Sequence, residues 1–268
     1  MDRSMTQDQR LSFLVEAFKA DSGEYQALAT PEDAGGRRRL LRSLMNVRMP
    51  GMMPEKVLRV QDEYLRGRAR EKGIVAPEDI PQIRNGLSIW QGDITRLAAD
   101  AVVNAANSQM LGCFVPMHAC IDNCIHSFAG IQLRAACSRQ MEELRLRYGP
   151  DYEQPTAVPM LTDAYNLPAK KVIHIVGPIV TDTLTPALEQ ALADCYTNTL
   201  DMCQENGLKS VAFCCISTGV FRFPGRRAAE IAVKSVQAWM SVHPGALDRV
   251  IFNVFRNEDK EYYEKELH

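Results

Sequence analysis

The sequence lacks any long apolar run, and its first residues do not form the apolar stretch of a secretory signal peptide. No transmembrane helix is therefore predicted, and the chain is expected to be cytoplasmic. The chain also has no large net charge, because 31 basic and 33 acidic residues leave a formal charge of -2. Such a balance gives no reason to expect nucleic acid or an acidic membrane as a partner.

Histidine and cysteine are absent from residues 1–80, although the whole chain has five histidines and eight cysteines. Without an export signal, these cysteines indicate free thiols or metal ligands in a reducing compartment, not a disulfide framework. Residues 1–80 are accordingly predicted to do no chemistry and to dock against the rest of the chain.

The first eighty residues have the pattern of amphipathic helices. Thr30-Pro31-Glu32-Asp33 reads as an N-cap followed by a proline at the first helical position, and Pro54 is predicted to start a later helix. Nine arginines lie between residues 37 and 70, but nearby acidic residues largely balance them. We interpret them as solvated helix faces, not as an anion-binding surface. The first apolar stripe consists of Leu11, Leu14, Val15 and Phe18.

After Pro81 the sequence alternates between strand and helix patterns, which predicts an α/β fold with a largely parallel sheet between helices. Ligands of such folds bind outside the carboxyl ends of the strands. The predicted strands span residues 87–91, 101–103, 172–176, 211–216 and 250–255, and the predicted helices span about 120–145, 186–206 and 226–242.

A short segment with two cysteines and a histidine, Cys113, His118 and Cys120, has C-x4-H-x-C spacing. Thiolate and imidazole ligands together favour zinc, and three ligands with an open fourth position are typical of a catalytic zinc. The alternative is that the cysteines are small buried apolar residues and the histidine is a hydrogen-bonded loop residue.

Four sequence blocks resemble the ADP-ribose-binding signature of the macrodomain family, in the family's order and over roughly residues 84–268. The blocks are Gly92-Asp93-Ile94-Thr95, Asp100-Ala-Val-Val-Asn-Ala-Ala-Asn107, Ile121-Asp122-Asn123-Cys124-Ile125-His126 and Ile216-Ser217-Thr218-Gly219-Val220-Phe221. Where most macrodomains have a glycine-rich loop, this chain has the Cys/His segment. It thereby resembles the zinc-containing bacterial macrodomains, which are protein ADP-ribosyl hydrolases. The resemblance implies a macrodomain at 84–268, a helical region at 1–80 and one zinc ion per chain on Cys113, His118 and Cys120.

The resemblance also implies contacts with the adenosine and ribose parts of the ligand. Asp93 would accept a hydrogen bond from adenine, with the Ile94 amide as a second contact. Asn104 and Asn107 would bind the hydroxyls of a ribose, since an amide both donates and accepts. The alternatives are a turn or capping aspartate and two asparagines that make turns.

The last block is expected to bind the pyrophosphate. The backbone amides of a loop after a buried strand can cradle phosphates without a cation. Arg222 stands where most family members have glycine, so the loop is either less open or gains a cation. The proposed ligand residues of this loop are Ser217, Thr218, Gly219, Val220 and Phe221, of which Phe221 would pack on the distal ribose or simply belong to the core.

Asp122 is expected to activate or position water, with Asn107 as a second catalytic residue, although a first-turn aspartate is also stabilised by the helix dipole alone. His126 lies on the same helix face and is interpreted as a core histidine or as a neighbour of the site. Cys124 is left out of the ligand set.

The function expected from these residues is a zinc-dependent hydrolase that removes mono-ADP-ribose from modified protein side chains. Its partners would be ADP-ribose and a mono-ADP-ribosylated protein. Two alternatives stay open, namely a module that binds ADP-ribose without cleaving it, and a deacetylase of O-acetyl-ADP-ribose.

Overall fold

The computed structural model describes residues 5–51 and 53–268 of the chain. None of its helices is long and apolar enough to cross a membrane. The helices of the described residues are α1 (Gln7–Ala20), α2 (Ala34–Val47), α3 (Glu55–Lys72), α4 (Ile121–Ala129), α5 (Ile131–Tyr148), α6 (Pro186–Glu205), α7 (Gly225–Val242) and α8 (Asn257–Leu267).

Six strands form one sheet in the order β1-β6-β5-β2-β4-β3, in which all neighbours are parallel except β3 and β4. The prediction of a largely parallel sheet between helices is thus confirmed. The strands are β1 (Leu87–Gln91), β2 (Ala101–Ala106), β3 (Met160–Asp163), β4 (Lys171–Val176), β5 (Ser210–Phe213) and β6 (Arg249–Val254).

The main core is built on the central strands. Val102 and Val103 on β2 and Ile173 and Ile175 on β4 are fully buried, as expected of strands covered on both faces. Helix α4 packs against β2 and α5 against β3, while α6 packs against β4 and α7, and α8 against β1 and β6.

Two predicted element boundaries were wrong. The predicted helix 120–145 is broken into α4 and α5 at Gly130, whose φ of 98° is accessible mainly to glycine. A side chain there would meet Gln61 Nε2 and Gln132 Oε1 at 2.8 Å. The predicted strand 211–216 ends at Phe213, after which the chain turns into the loop that carries Ser217.

Helices α1 to α3 have an apolar cluster of their own, which Ile131 of α5 joins to the rest of the molecule. The prediction that Thr30 is the N-cap of the second helix was wrong. Asp33 caps α2 instead and accepts from the Gly36 amide at 2.8 Å. The Thr30 hydroxyl is already engaged, because it donates to Glu16 and accepts from Lys19.

Candidate active site

The loops that follow β1, β2, β4 and β5 leave the same edge of the sheet, because these strands are parallel. Asp93, Asn107, Gly177 and the loop 214–221 follow the ends of these four strands. Asp122, in the first turn of α4, reaches the same place, where its Oδ2 lies 3.4 Å from Asn107 Nδ2. Most of the predicted site residues therefore lie along one edge.

Asp122 is a buried carboxylate held by two asparagine amides. Its Oδ1 accepts from Asn104 Nδ2 at 2.8 Å and its Oδ2 from Asn107 Nδ2 at 3.4 Å. Burial raises the pKa of Asp122 to about 6, against the lowering effect of the Asn104 hydrogen bond and of Arg134. The two hydrogen bonds fix the orientation of the Asp122 side chain, and burial makes its charged form less favourable.

The expected contact between Asn104 and a ribose does not agree with the structure. Asn104 lies within β2, has no exposed surface, and directs its amide nitrogen at both Asp122 and His174 Nδ1 (3.1 Å). Since this nitrogen can only donate, His174 Nδ1 is the acceptor and its Nε2 carries the proton. That Nε2 donates a hydrogen bond to Thr162 Oγ1 at 3.0 Å. Asn104 therefore orients Asp122 from within the core.

His126 contacts the carboxylate without forming an ion pair. Its Nε2 is 3.6 Å from Asp122 Oδ1, beyond hydrogen-bond distance. Burial, together with His174 and Arg134, lowers the pKa of His126 well below the usual range, so the ring is neutral. Neither ring nitrogen has a hydrogen-bond partner among the described residues.

The Cys/His segment brings its three soft donors together. One donor atom each from Cys113, His118 and Cys120 lies within 4.8 Å of the others, and Cys113 Sγ is 3.5 Å from His118 Nδ1. A tetrahedral zinc with the usual bond lengths separates a sulfur and a nitrogen ligand by about 3.5 Å. The donor set and its spacing therefore fit zinc.

The local environment disfavours the thiolate form of Cys120. Burial raises the pKa of the Cys120 thiol to about 12, although the Asn123 amide donates to its sulfur at 3.4 Å. A metal ion replaces the proton of such a thiol and releases it to solvent. Cys124 lies apart from the three donors, and its sulfur contacts Arg42 Nη2 at 3.5 Å.

The loop after β5 presents unpaired backbone amides. Ser217 has a φ of 65°, and its hydroxyl is buried without a partner in the described chain. In the same part of the chain, the N–H groups of Gly219, Val220 and Phe221 have no acceptor, whereas those of Thr218 and Arg222 bond within the turn. Adjacent unpaired amides at a turn form an anion-binding concavity.

Gly177, directly after β4, allows this loop to approach closely. A Cβ at Gly177 would stand 2.1 Å from Ser217 Oγ and 2.7 Å from Ile216 Cγ2. We expect Gly177→Ala to destabilise the protein by about 1–3 kcal/mol, because the buried loop must shift. Urea unfolding would measure this, with Gly23→Ala as the control, since nothing lies within 4 Å of a Cβ there. Equal midpoints for the two variants would contradict the close packing.

Asp93 caps the turn that follows β1. Its Oδ1 accepts from the Thr95 amide at 3.0 Å and from the Thr95 hydroxyl at 2.6 Å. The second oxygen is 3.4 Å from Lys72 Nζ, which itself stands 3.4 Å from the centre of the Phe128 ring. The capping interpretation is thus realised, while Oδ2 has only the contact with Lys72 and the Ile94 amide has no backbone acceptor among the described residues.

The sequence matches the Macro domain family over residues 103–232. A protein-ADP-ribose hydrolase of Treponema medium is 47% identical over 265 residues, which cover 97% of this chain and 99% of that relative. One from Staphylococcus aureus (strain MRSA252) is 38% identical over 258 residues, which cover 96% and 94%. This chain belongs to the macro domain family. The fold agrees, because a Trypanosoma brucei macrodomain solved in complex with ADP-ribose has a TM-score of 0.65 at 26% identity, covering 85% of this chain and 95% of that one.

Sequence reasoning missed several residues that shape this macro domain's site. His174 lies on β4, with Cys137 Sγ 3.7 Å from its Nε2, and the two form a second soft cluster with His126. Burial lowers the pKa of His174 to about 3. No spacing signal connects these residues, because strand pairing and helix packing bring them together.

Arg134 of α5 was also missed. Its Nε donates to the Leu111 carbonyl at 2.7 Å, and its guanidinium carbon lies 4.1 Å from the centre of the Phe114 ring. It thus supports the start of the Cys/His segment from the core side. A lone arginine in a helix gives no sequence signal for such a role.

Proposed function

We propose that this macro domain is a zinc-dependent hydrolase that removes mono-ADP-ribose from modified protein side chains. The observation that carries the proposal is the position of Asn107. Its Nδ2 lies 3.4 Å from Asp122 Oδ2 and 3.4 Å from the carbonyl of Gly112, the residue before Cys113. The buried carboxylate of Asp122 and the start of the Cys/His segment therefore both lie next to the side-chain amide of Asn107. The names of the Treponema medium and Staphylococcus aureus relatives support this reaction class.

The remaining residues match the parts of the proposed ligand. Asp93 Oδ2 and the Ile94 amide would bind adenine, and the unpaired amides of residues 219–221 would bind the pyrophosphate. Both groups are at the same sheet edge, so the distal ribose of a bound ADP-ribose would extend toward Asn107 and Asp122. Phe221 is half-buried at the end of the phosphate loop and would cover this ribose.

Asp122 would orient the attacking water and take its proton as the water oxygen bonds to ribose C1″, while the modified side chain leaves with the electron pair of the broken bond and is released as the unmodified protein. Asn107 would hold the ribose and one carboxylate oxygen, so that substrate position and base position are fixed together. A zinc ion on Cys113, His118 and Cys120 would supply a Lewis acid when bound.

The proposed partner is a mono-ADP-ribosylated protein, and the proposed compartment is the cytoplasm. All eight cysteines are free thiols in the structure, as expected in a reducing environment.

Release of free ADP-ribose from a mono-ADP-ribosylated protein tests the proposal. The full chain should release it, a strong chelator should stop the release, and added zinc should restore it. Binding of ADP-ribose without release would identify a reader module. Cleavage of O-acetyl-ADP-ribose with no action on modified protein would identify the deacetylase reaction.

We expect Asp93→Asn to weaken ADP-ribose binding by about 1.5–3 kcal/mol, because a charged acceptor is lost. The asparagine oxygen still accepts from Thr95, so the turn should stay intact. Calorimetry would measure the affinity, with Asp163→Asn as the control. Asp163 lies on β3 and pairs with Lys171 of β4, whereas Asp93 follows β1 at the other end of the strand order. Unchanged affinity in Asp93→Asn would remove adenine recognition from this residue.

A further inference from the structure

The Cys/His segment has few hydrogen bonds of its own. Residues 111–120 form no regular secondary structure, and Val115, Met117 and Ala119 are exposed. Its one internal backbone bond joins the His118 amide to the Val115 carbonyl at 3.2 Å. The donor atoms of such a segment need support from elsewhere to keep the spacing that a metal requires.

Asn123 of α4 supplies part of this support. It is fully buried, and its Nδ2 donates to the carbonyls of Cys113 (3.2 Å) and Val115 (2.9 Å). Because both acceptors belong to the segment, the Asn123 amide fixes its first half. The orientation of this amide depends in turn on what its oxygen accepts.

Arg42 of α2 supplies the charged partner from the N-terminal helices, and Ser127 Oγ donates to the same oxygen at 3.2 Å. Its Nη2 donates to Asn123 Oδ1 at 2.7 Å and to the His118 carbonyl at 2.9 Å, and its Nε is 3.3 Å from the same Asn123 oxygen. One guanidinium thus holds both the residue that organises the segment and the backbone of a candidate ligand.

Asn46, one helical turn further along α2, holds the tip of the segment. It is 1% exposed, its Oδ1 accepts from the Met117 amide at 3.0 Å, and its Nδ2 donates to Ser127 Oγ at 2.8 Å. Met117 has a φ of 58°, a conformation that non-glycine residues rarely adopt. The neighbour of His118 is therefore kept in a strained conformation by a side chain of α2.

We propose that the N-terminal helices set the metal affinity of this macro domain, with Arg42 and Asn46 as positioning residues for Cys113, His118 and Cys120. The inference rests on the proposed zinc site. Residues that orient metal ligands typically change metal affinity by about 10–100-fold when they are lost. We expect a loss of that size in Arg42→Ala and in Asn46→Ala.

The test measures zinc affinity of the full chain by competition with a chromophoric chelator, in the absence of ADP-ribose. Arg10→Ala is the matched control, because Arg10 joins α1 to α3 through Glu63 at 2.9 Å without touching the segment. Arg42→Lys keeps the charge but loses the pair of guanidinium nitrogens that contacts Asn123 Oδ1, so we expect an intermediate zinc affinity. The cobalt-substituted protein would report ligand geometry through its absorption spectrum.

The proposal predicts weakened zinc binding and an altered cobalt spectrum in Arg42→Ala and Asn46→Ala, both of which should keep a cooperative melt with Asn46→Ala the less stable of the two, because Asn46 is buried. Zinc affinity equal to wild type in both variants would overturn it while leaving the zinc site itself in place. Equal weakening in Arg10→Ala would also overturn it, because general destabilisation would then be the cause. A wild-type chain that binds no zinc would instead remove the metal site on which the inference rests.

Discussion

Cys113→Ala, His118→Ala and Cys120→Ala should each lose zinc and more than about 100-fold in turnover, a larger effect than loss of a residue that only orients a ligand. The fold should survive, because the sheet and its helices form a core that does not depend on the segment. Metal analysis followed by single-turnover release of ADP-ribose would measure both effects. Thermal melts of the three variants should remain cooperative.

Cys124→Ala is the matched control for these ligand variants. Its sulfur lies next to Arg42 and not among the three donors, so zinc content should stay near one per chain. Stoichiometric zinc in all three ligand variants would refute the ligand assignment. Full activity of the zinc-free wild-type protein would refute the role of the metal and leave Asp122 as the main catalytic group.

Asp122→Asn should lower turnover by about 10²–10⁴-fold, the usual contribution of a positioned general base. Affinity for ADP-ribose should change little, because the proposed adenine and phosphate contacts lie elsewhere. Since burial already disfavours the charged carboxylate, a neutral amide of the same shape should keep a cooperative melt. Single-turnover rates and calorimetry on the same preparation would separate the two effects.

Asp163→Asn serves as the control for this change too, and its turnover should match wild type. Wild-type turnover in Asp122→Asn would show that the carboxylate neither positions water nor takes its proton. A parallel loss of binding and turnover would instead make Asp122 a substrate-binding residue.

The sequence predicted where the central strands lie because each contains a run of buried apolar side chains, although β2 ends later and β5 ends earlier than predicted. It missed β3, a four-residue edge strand, and α8, a mostly charged helix. Only Tyr263 and Leu267 of α8 are buried, which is too few to give a periodic apolar pattern.

The sequence also identified the residue types of the candidate site. It did not show which of these side chains are enclosed in the core and which lie beyond the edge of the sheet. Asn104 and Asn107 belong to one motif, yet β2 continues to Ala106, so the first asparagine is enclosed in the sheet and the second lies beyond its edge. Where a strand ends decides which of two similar amides can meet a ligand. Local sequence does not fix that end to within three residues.

Arg42 shows a second limit. Among nine arginines in 34 residues it has no distinguishing neighbour, and the balance of charge favoured a solvated face. Its role depends on the position of α2 over α4, a tertiary contact that has no local sequence signal. Residues 1–80 contain no histidine or cysteine, but Arg42 and Asn46 reach the Cys/His segment.

The two oxygens of Asp122 are not equivalent. Oδ1 is enclosed, with Asn104 at 2.8 Å and His126 at 3.6 Å, whereas Oδ2 has only the longer contact with Asn107. The inner oxygen therefore has the shorter and stronger hydrogen bond, and the outer one has only the weak contact with the Asn107 amide, which also contacts the Gly112 carbonyl. In the proposed reaction, one oxygen would anchor the carboxylate to the protein and the other would face the attacking water.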